Sequence, residues 1–178
     1  MRVALVLATL FAAPAPALAE CPPVPDHAEA YAQLYDALSD AETPAEAQAL
    51  SDALWDLRLI APDEPAQALL DQGLARRNAG DLPGSIRALD RLVAYCPEYA
   101  EGWNQRAFSH FLGHDHAAAL PDLDRALALD PRHLGALTGR ALTLLGLGRD
   151  DEAYAVLRQA LALNPWLSER RLLPGRDI

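Results

Sequence analysis

The chain has 178 residues, of which 51% are hydrophobic and 22% are charged, a balance typical of one globular body with a modest core. Its formal net charge of −10 argues against binding to nucleic acid, because neutralising phosphates requires a basic surface, and against binding to an anionic membrane. The apolar residues are mostly Ala and Leu, which favour helices, so the composition predicts an all-α protein.

The first 19 residues have the three parts of a secretory signal peptide. Arg2 precedes an apolar run over residues 3–13, and a run of small residues that ends at Ala19 provides a cleavage site. We therefore expect cleavage after Ala19 and a mature chain that begins at Glu20 in the periplasm. The apolar run is too short for a membrane-spanning helix, so no membrane insertion is expected after cleavage.

The mature chain has two cysteines, Cys21 in a proline-rich N-terminus (residues 20–26) and Cys96 further along the chain. Glu20 stands where a lipoprotein needs a small residue, which argues against lipid attachment to Cys21. In an oxidising compartment two cysteines either pair or remain reactive thiols, and we predict a disulfide between them. The alternative is that Cys96 is a buried apolar residue and Cys21 is free.

Residues 27–62 contain two helical patterns and are expected to form a degenerate N-terminal helical hairpin. Their apolar stripes comprise Tyr31, Leu34, Tyr35 and Leu38, and then Leu50, Leu54 and Leu57. Between the stripes, Thr43 and Glu46 have the spacing of a capping box, with Pro44 at the first helical position.

From residue 66 onward the sequence repeats with a period of 34. ALALDP at 126–131 recurs as ALALNP at 160–165. Prolines and small or apolar residues recur in four series: Pro97, Pro131 and Pro165; Gly73, Ala107 and Ala141; Ser85, Ala119 and Ala153; Leu89, Leu123 and Leu157. We place repeats at 66–99, 100–133 and 134–167, followed by a C-terminal cap or tail at 168–178.

Small residues at fixed points and a closing proline make these units resemble tetratricopeptide (TPR) repeats, in which each unit is two antiparallel helices. The segments AEGWNQRA at 100–107 and DPRHLGAL at 130–137 also resemble a group of exported alphaproteobacterial TPR proteins. The resemblance implies a helix-turn-helix solenoid and export, and it implies no biochemical activity. One such hairpin cannot bury its own apolar face, so the units are expected to stack.

Polar residues within the repeats have structural interpretations. In each repeat, the turn between the two helices ends in an aspartate. These residues, Asp81, Asp115 and Asp150, are predicted to be the N-caps of the second helices. Arg106 and Arg140 stand where TPR repeats usually have Leu. We favour pairing with Asp122 or Asp124 over an arginine that clamps an acidic peptide, because burying an unpaired guanidinium is costly.

No residue pattern points to catalysis or a cofactor, and the pattern that suggests a metal is incomplete. The histidines His110, His114, His116 and His133 suggest a metal hypothesis, but Gly113 breaks the helix among them and no cysteine or carboxylate completes a ligand set. The chain has no nucleophile elbow and no Gly-rich phosphate loop. We therefore predict that the protein is not an enzyme and that it holds no cofactor.

The resemblance implies that the first helices of the units line a concave face. The candidate binding residues that it places there are Leu70, Leu74, Arg77, Glu101, Asn104, Phe108, Phe111, Leu112 and Leu142. The chain has no lysine, so it lacks the set of Lys, Asn and Arg with which chaperone-adaptor TPRs hold a C-terminal carboxylate. We predict that this mostly apolar face holds an apolar or amphipathic helical segment, either of a partner or of residues 27–60 of this chain.

Three functions follow as hypotheses. The first is a periplasmic protein–protein interaction scaffold whose concave face binds an unidentified protein partner. The second is an envelope assembly factor that docks by its edges while residues 27–60 fill the groove. The third is a metal carrier that uses the histidines.

Overall fold

The computed structural model describes residues 20–175, so the predicted signal peptide lies outside the described residues. Within them the chain forms eight α-helices and one short 3₁₀ helix, with no β-strand. The helices are α1 (Ala28–Asp40), α2 (Pro44–Arg58), α3 (Glu64–Asn78), α4 (Leu82–Tyr95), α5 (Ala100–Leu112), α6 (His116–Leu129), α7 (Leu134–Gly146), α8 (Asp150–Leu163) and the 3₁₀ helix Ser168–Leu172. The predicted all-α fold class is confirmed. Across the same residues, no helix combines the length and the hydropathy needed to cross a bilayer.

Three antiparallel helix pairs, α3–α4, α5–α6 and α7–α8, stack side by side in chain order. The small residues that mark the repeats are buried where the helices meet: Gly73, Ala107 and Ala141 in the first helices, and Ser85, Ala119 and Ala153 in the second. Gly73 shows why size is limited there, because a Cβ on it would lie 2.7 Å from the side chain of Leu89. Stacking supplies the core that a single hairpin lacks.

Aspartates cap two of the three second helices as predicted. Backbone N–H groups of the first turn donate to Asp81 at 2.8 Å and to Asp115 at 3.1 Å. The third prediction is wrong, because Asp150 is the first residue of α8 and Arg149 occupies the N-cap position without a side-chain cap. The period explains the shift, since Arg149 is the residue that follows Asp115 by 34 positions.

A disulfide joins Cys21 to Cys96, whose Cα atoms lie 5.2 Å apart. Cys96 follows the last residue of α4 and is buried in a cluster with Ala61 and Tyr99. The predicted pairing is therefore present in the structure. It anchors the proline-rich N-terminus at the first repeat, directly before the chain enters α1.

The α1–α2 hairpin lies across the stack and reaches the third repeat. Its buried residues Tyr35, Leu38, Ala47 and Leu54 form one cluster with Leu134, Leu163 and Trp166. The hydroxyl of Ser51 accepts a hydrogen bond from Asn164 at 3.2 Å, and the hydroxyl of Tyr35 donates to the carbonyl of Arg132. The hairpin consequently covers part of the face that the first helices of the repeats form.

The C-terminal segment closes the far end of the stack. The 3₁₀ helix follows Pro165, and the half-buried Leu167 and Leu173 on either side of it pack against the buried cluster of α7 and α8. This segment covers apolar side chains of α7 and α8, as terminal caps do in stacked-repeat proteins.

Candidate functional site

The first helices α5 and α7 and the hairpin helix α2 enclose an apolar pocket of about 380 Å³. Four of the predicted binding residues, Asn104, Phe108, Phe111 and Leu142, line one wall together with Gly135 and Thr138 of α7. Ser51, Leu54 and Trp55 of α2 form the opposite wall. We call this cavity the apolar pocket. It is the part of the concave face that the hairpin leaves unfilled.

Large apolar side chains are exposed at and near the mouth of the apolar pocket. Trp55 is 38% exposed and Phe108 is 42% exposed, on opposite sides of it. Leu112, one turn beyond Phe108 on α5, is also 42% exposed. Exposed apolar groups beside a concave apolar cavity are typical of a contact surface, because burying them against a ligand removes apolar area from water.

Three of the predicted binding residues are buried. Leu70 is completely buried, because the chain that returns from the hairpin places Ala61 in the same cluster, together with Tyr99. Glu101 and Asn104 are also buried, and they take part in a polar network inside the concave face. The positions were inferred from repeats with an open groove, whereas here the hairpin and its linker cover part of the face, and only Asn104 of these three still lines the apolar pocket.

Arg77, the single cation among the predicted binding residues, is already engaged. Its guanidinium lies 4.7 Å from the ring centroid of Phe108 and donates a hydrogen bond to the carbonyl of Gln105 at 3.3 Å. Burial lowers the pKa of Arg77, and the nearby Glu101 carboxylate opposes that effect in part. Arg77 therefore packs against Phe108 and is not available to an acidic ligand. Leu74, another predicted binding residue, is half-buried beside the first-repeat core.

A buried polar network lies at the centre of the concave face. His133 Nδ1 accepts the N–H of Ala136 at 3.2 Å, so His133 Nε2 carries the proton and donates to Glu101 at 2.7 Å. The other oxygen of Glu101 accepts from Asn104 at 3.2 Å and from the side-chain amide of Gln105. Burial alone raises the pKa of Glu101, but the bonds from His133, Gln105 and Asn104 outweigh it and hold the pKa below its usual value.

A second polar cluster fastens the end of α2 to the loop between α6 and α7. Arg58 is buried, and its guanidinium lies 2.5 Å from the carboxylate of Asp130. It also donates to the hydroxyl of Tyr35 at 3.1 Å and to the carbonyl of Arg132 at 3.3 Å. The hydroxyl of Tyr99 donates to the carbonyl of Arg58 at 2.6 Å. Burial lowers the pKa of Arg58, but Tyr35 and Asp130 outweigh it and raise the pKa.

Sequence reasoning missed Arg58, Asp130 and Tyr99 as functional residues, and it considered His133 only as a metal ligand. For two of these residues, Tyr99 and His133, the 34-residue period of the sequence offered an indication. Tyr99 and His133 are 34 residues apart, each is the last residue before a first helix, and each is buried. A polar residue repeated at the same buried position of two units indicates that each has a buried hydrogen-bond partner, which is the Arg58 carbonyl for Tyr99 and the Glu101 carboxylate for His133. Arg58 has no such signal, because its partner Asp130 lies 72 positions away.

Arg106 and Arg140 have the structural pairing that we favoured. Arg106 forms a bidentate salt bridge with Asp122, with nitrogen–oxygen distances of 2.8 Å and 2.6 Å. It also forms a salt bridge with Asp90 at 2.9 Å. Arg140 donates to Asp124 at 2.7 Å. These pairs join the two helices of a repeat or neighbouring repeats and leave neither guanidinium directed at the apolar pocket.

The histidines lie in two places, since the ring centroids of His114 and His116 are 6.2 Å apart and His133 lies inside the concave face. His133 is buried against Glu101, His116 is half-buried beside Phe111, and His114 lies exposed in the turn with a positive φ of 59°. Within residues 20–175, no group of three or more His, Cys, Asp or Glu side chains gathers as a metal site. The metal-carrier hypothesis gains no support from this part of the chain.

Known proteins resemble this chain in sequence and in fold. Residues 111–166 match the family model described as tetratricopeptide repeat. A TPR repeat-containing protein of Rhizobium etli is 34% identical over 83 residues, which cover 47% of this chain and 41% of that protein. Bovine tetratricopeptide repeat protein 36 is 35% identical over 114 residues, covering 62% of this chain and 61% of that protein. The chain thus spans less than two thirds of the length of either relative.

A solved structure, the first TPR domain of Spaghetti (RPAP3) bound to an HSP90 peptide, superposes with a TM-score of 0.59 at 22% identity. The superposition covers 61% of this chain and 86% of that one, and at this identity it shows a shared fold alone. The family match and the two relatives indicate no catalytic family. The stacked helix pairs, the 34-residue period and these matches support one conclusion: the repeat region of this chain has the fold of a tetratricopeptide-repeat solenoid.

Proposed function

We propose that the protein is an exported interaction scaffold that binds an apolar or amphipathic helical segment of a protein partner at the apolar pocket. The observation that carries this proposal is the pocket itself, with Trp55, Phe108 and Leu112 exposed at and near its mouth. TPR domains are typically protein-binding modules, and a partner that places large apolar side chains here would remove this surface from water.

The proposed partner presents apolar anchors rather than a C-terminal carboxylate. The RPAP3 domain named above is bound to an HSP90 peptide with the sequence SRMEEVD, which contains three acidic residues. In this chain Arg77 is stacked on Phe108, and the sequence contains no lysine. The chemistry that remains open to a ligand on the concave face is apolar.

Leu112→Glu tests this proposal, and Leu172→Glu is its matched control. Both leucines are about equally exposed, at 42% and 43%, but Leu172 lies on the 3₁₀ helix away from the apolar pocket. Helical peptides are selected from a displayed library on the wild-type chain, and their affinities for both variants are then measured. We expect Leu112→Glu to weaken binding at least about ten-fold and Leu172→Glu to leave it unchanged.

Phe108→Glu is a second test of peptide binding at the same site. Because Phe108 is partly exposed, this variant should stay folded by circular dichroism and lose the selected peptides. If the peptides bind both glutamate variants on α5 as tightly as the wild-type chain, the concave face is not the binding site.

The alternative proposal is an envelope assembly factor that docks by its edges. The α1–α2 hairpin favours it, because this segment already covers part of the concave face and fastens to Asp130 and Asn164. A cross-linking pull-down from the periplasm identifies its partner. This alternative predicts that the captured partner binds Leu112→Glu and wild-type chains equally.

Export to the periplasm is also a proposal. The signal-like residues 1–19 support it, and a disulfide is consistent with an oxidising compartment. N-terminal sequencing of the protein recovered from the periplasmic fraction should begin at Glu20. A soluble cytoplasmic protein that retains residues 1–19 would contradict export.

A further inference from the structure

The helix α2 shows which chemistry the concave face accepts. From α2, Leu54, Trp55 and Arg58 line the apolar pocket, and Arg58 also pairs with Asp130, which is not part of the lining. The face therefore offers an apolar wall and a carboxylate at a spacing that one amphipathic helix spans. Leu54 and Arg58 are four positions apart, so both lie on the same side of α2.

The helix α2 does not fill the space that it covers. The apolar pocket of about 380 Å³ remains between α2 and the helices α5 and α7. Protein interiors are close-packed, and side chains that line a void lose the dispersion contacts that neighbours would provide. A helix with larger apolar side chains at this position would bury Phe108 and Phe111 more completely than α2 does.

The hairpin is tethered to the stack at both of its ends. Cys21 ties its entry to the end of α4, and residues 59–63 connect its exit to α3. A displaced hairpin therefore stays close to its own site and competes with any ligand at an effective concentration of roughly millimolar order. The apparent affinity of a partner is its intrinsic affinity multiplied by the fraction of chains in which the hairpin is displaced.

We infer that the partner segment is an amphipathic helix that resembles α2, with an arginine for Asp130 and bulky apolar side chains for the apolar pocket, and that it binds by displacing α2. This inference rests on the proposed function and names the partner's chemistry. The hairpin then acts as an internal competitor that keeps weaker helices out of the concave face.

The test uses a fluorescent peptide copy of residues 43–60 and the disulfide-bonded chain from Glu20, with binding followed by anisotropy. Arg58→Met in the chain frees Asp130 and loosens the hairpin. The matched control is Arg76→Met, which removes the exposed ion pair between Arg76 of α3 and Asp81. We expect Arg58→Met to bind the peptide at least about ten-fold tighter than wild type. Arg76→Met should bind it like wild type.

Two further variants show whether the arginine matters. Adding Asp130→Asn to the Arg58→Met chain should abolish the gain, and so should Arg58→Met in the peptide. Equal binding of the Met-containing and Arg-containing peptides would overturn the inference, as would an Arg58→Met chain that is folded and binds no peptide. A chain that forms dimers by exchanging hairpins with a second copy, detected by sedimentation, would also overturn it.

Hydrogen exchange of the wild-type chain keeps the inference testable if Arg58→Met does not fold. Amides of α1 and α2 should exchange at least about 100-fold faster than amides of α5, because a displaceable hairpin opens locally. Hairpin amides that exchange only with global unfolding would overturn the inference. The Leu112→Glu experiment reports separately on the open part of the concave face, so the proposed function can stand if displacement fails.

Discussion

Glu101 and His133 are 32 residues apart in the chain, and their side chains meet at 2.7 Å inside the concave face. Glu101 belongs to the first helix of the second repeat, and His133 is the N-cap of the first helix of the third. His133 therefore does two things at once: it caps α7 with Nδ1 and holds Glu101 with Nε2. Neither residue is more than 2% exposed.

Replacing Glu101 with Gln should destabilise the protein by about 2 kcal/mol, because hydrogen bonds to a buried charged group are worth more than neutral ones. Chemical denaturation monitored by circular dichroism measures the change. Glu98→Gln is the control, since Glu98 is an exposed partner of Arg125 and surface pairs contribute little. Equal effects of the two substitutions would contradict a central role for the network.

The stability that Glu101 contributes should decline in acid. Its pKa in the folded state is held below the usual value of 4.5, so the contribution is complete above that value and is lost as the pH falls through the folded-state pKa. The difference in unfolding free energy between wild type and Glu101→Gln should therefore be smaller near pH 3 than near pH 5. A difference that grows on acidification would contradict this sign.

Thr143→Val should leave the protein as stable as wild type or stabilise it by up to about 1 kcal/mol. Thr143 is completely buried, and its hydroxyl has no hydrogen-bond partner among residues 20–175. Thr138→Val is the matched control on the same helix, because the Thr138 hydroxyl donates to the carbonyl of Leu134 at 3.0 Å. Thermal unfolding compares the two, and a lower melting temperature for Thr143→Val than for Thr138→Val would refute the prediction.

Breaking the disulfide with Cys21→Ser should destabilise the chain by roughly 4 kcal/mol in the chain-entropy model, because the bond closes a long loop. The two cysteines are separated by 75 positions. Calorimetry measures the loss, and wild type with and without reductant provides the control. Mass spectrometry of the untreated protein should show no free thiol, and two free thiols would refute the pairing.

Much of the repeat region could be predicted from the sequence because its determinants recur along the chain. Small residues at helix crossings and closing prolines repeat every 34 positions, and each reports on packing within one unit or between neighbours. The N-cap prediction failed at Asp150, where the period itself pointed to Arg149. Pairing Cys21 with Cys96 required no geometry, since two cysteines allow one intrachain bond.

By itself, the sequence determined the helices, the stacked repeats and the apolar character of the concave face. Only the tertiary structure decided how open that face is. Arg58 meets Asp130 across 72 positions, Tyr35 meets Arg132 across 97, and Ser51 meets Asn164 across 113. Each of these contacts occurs once, so none leaves a period in the sequence. They place the hairpin over the stack, while the linker that follows it helps bury Leu70, and they leave the apolar pocket as the accessible remainder.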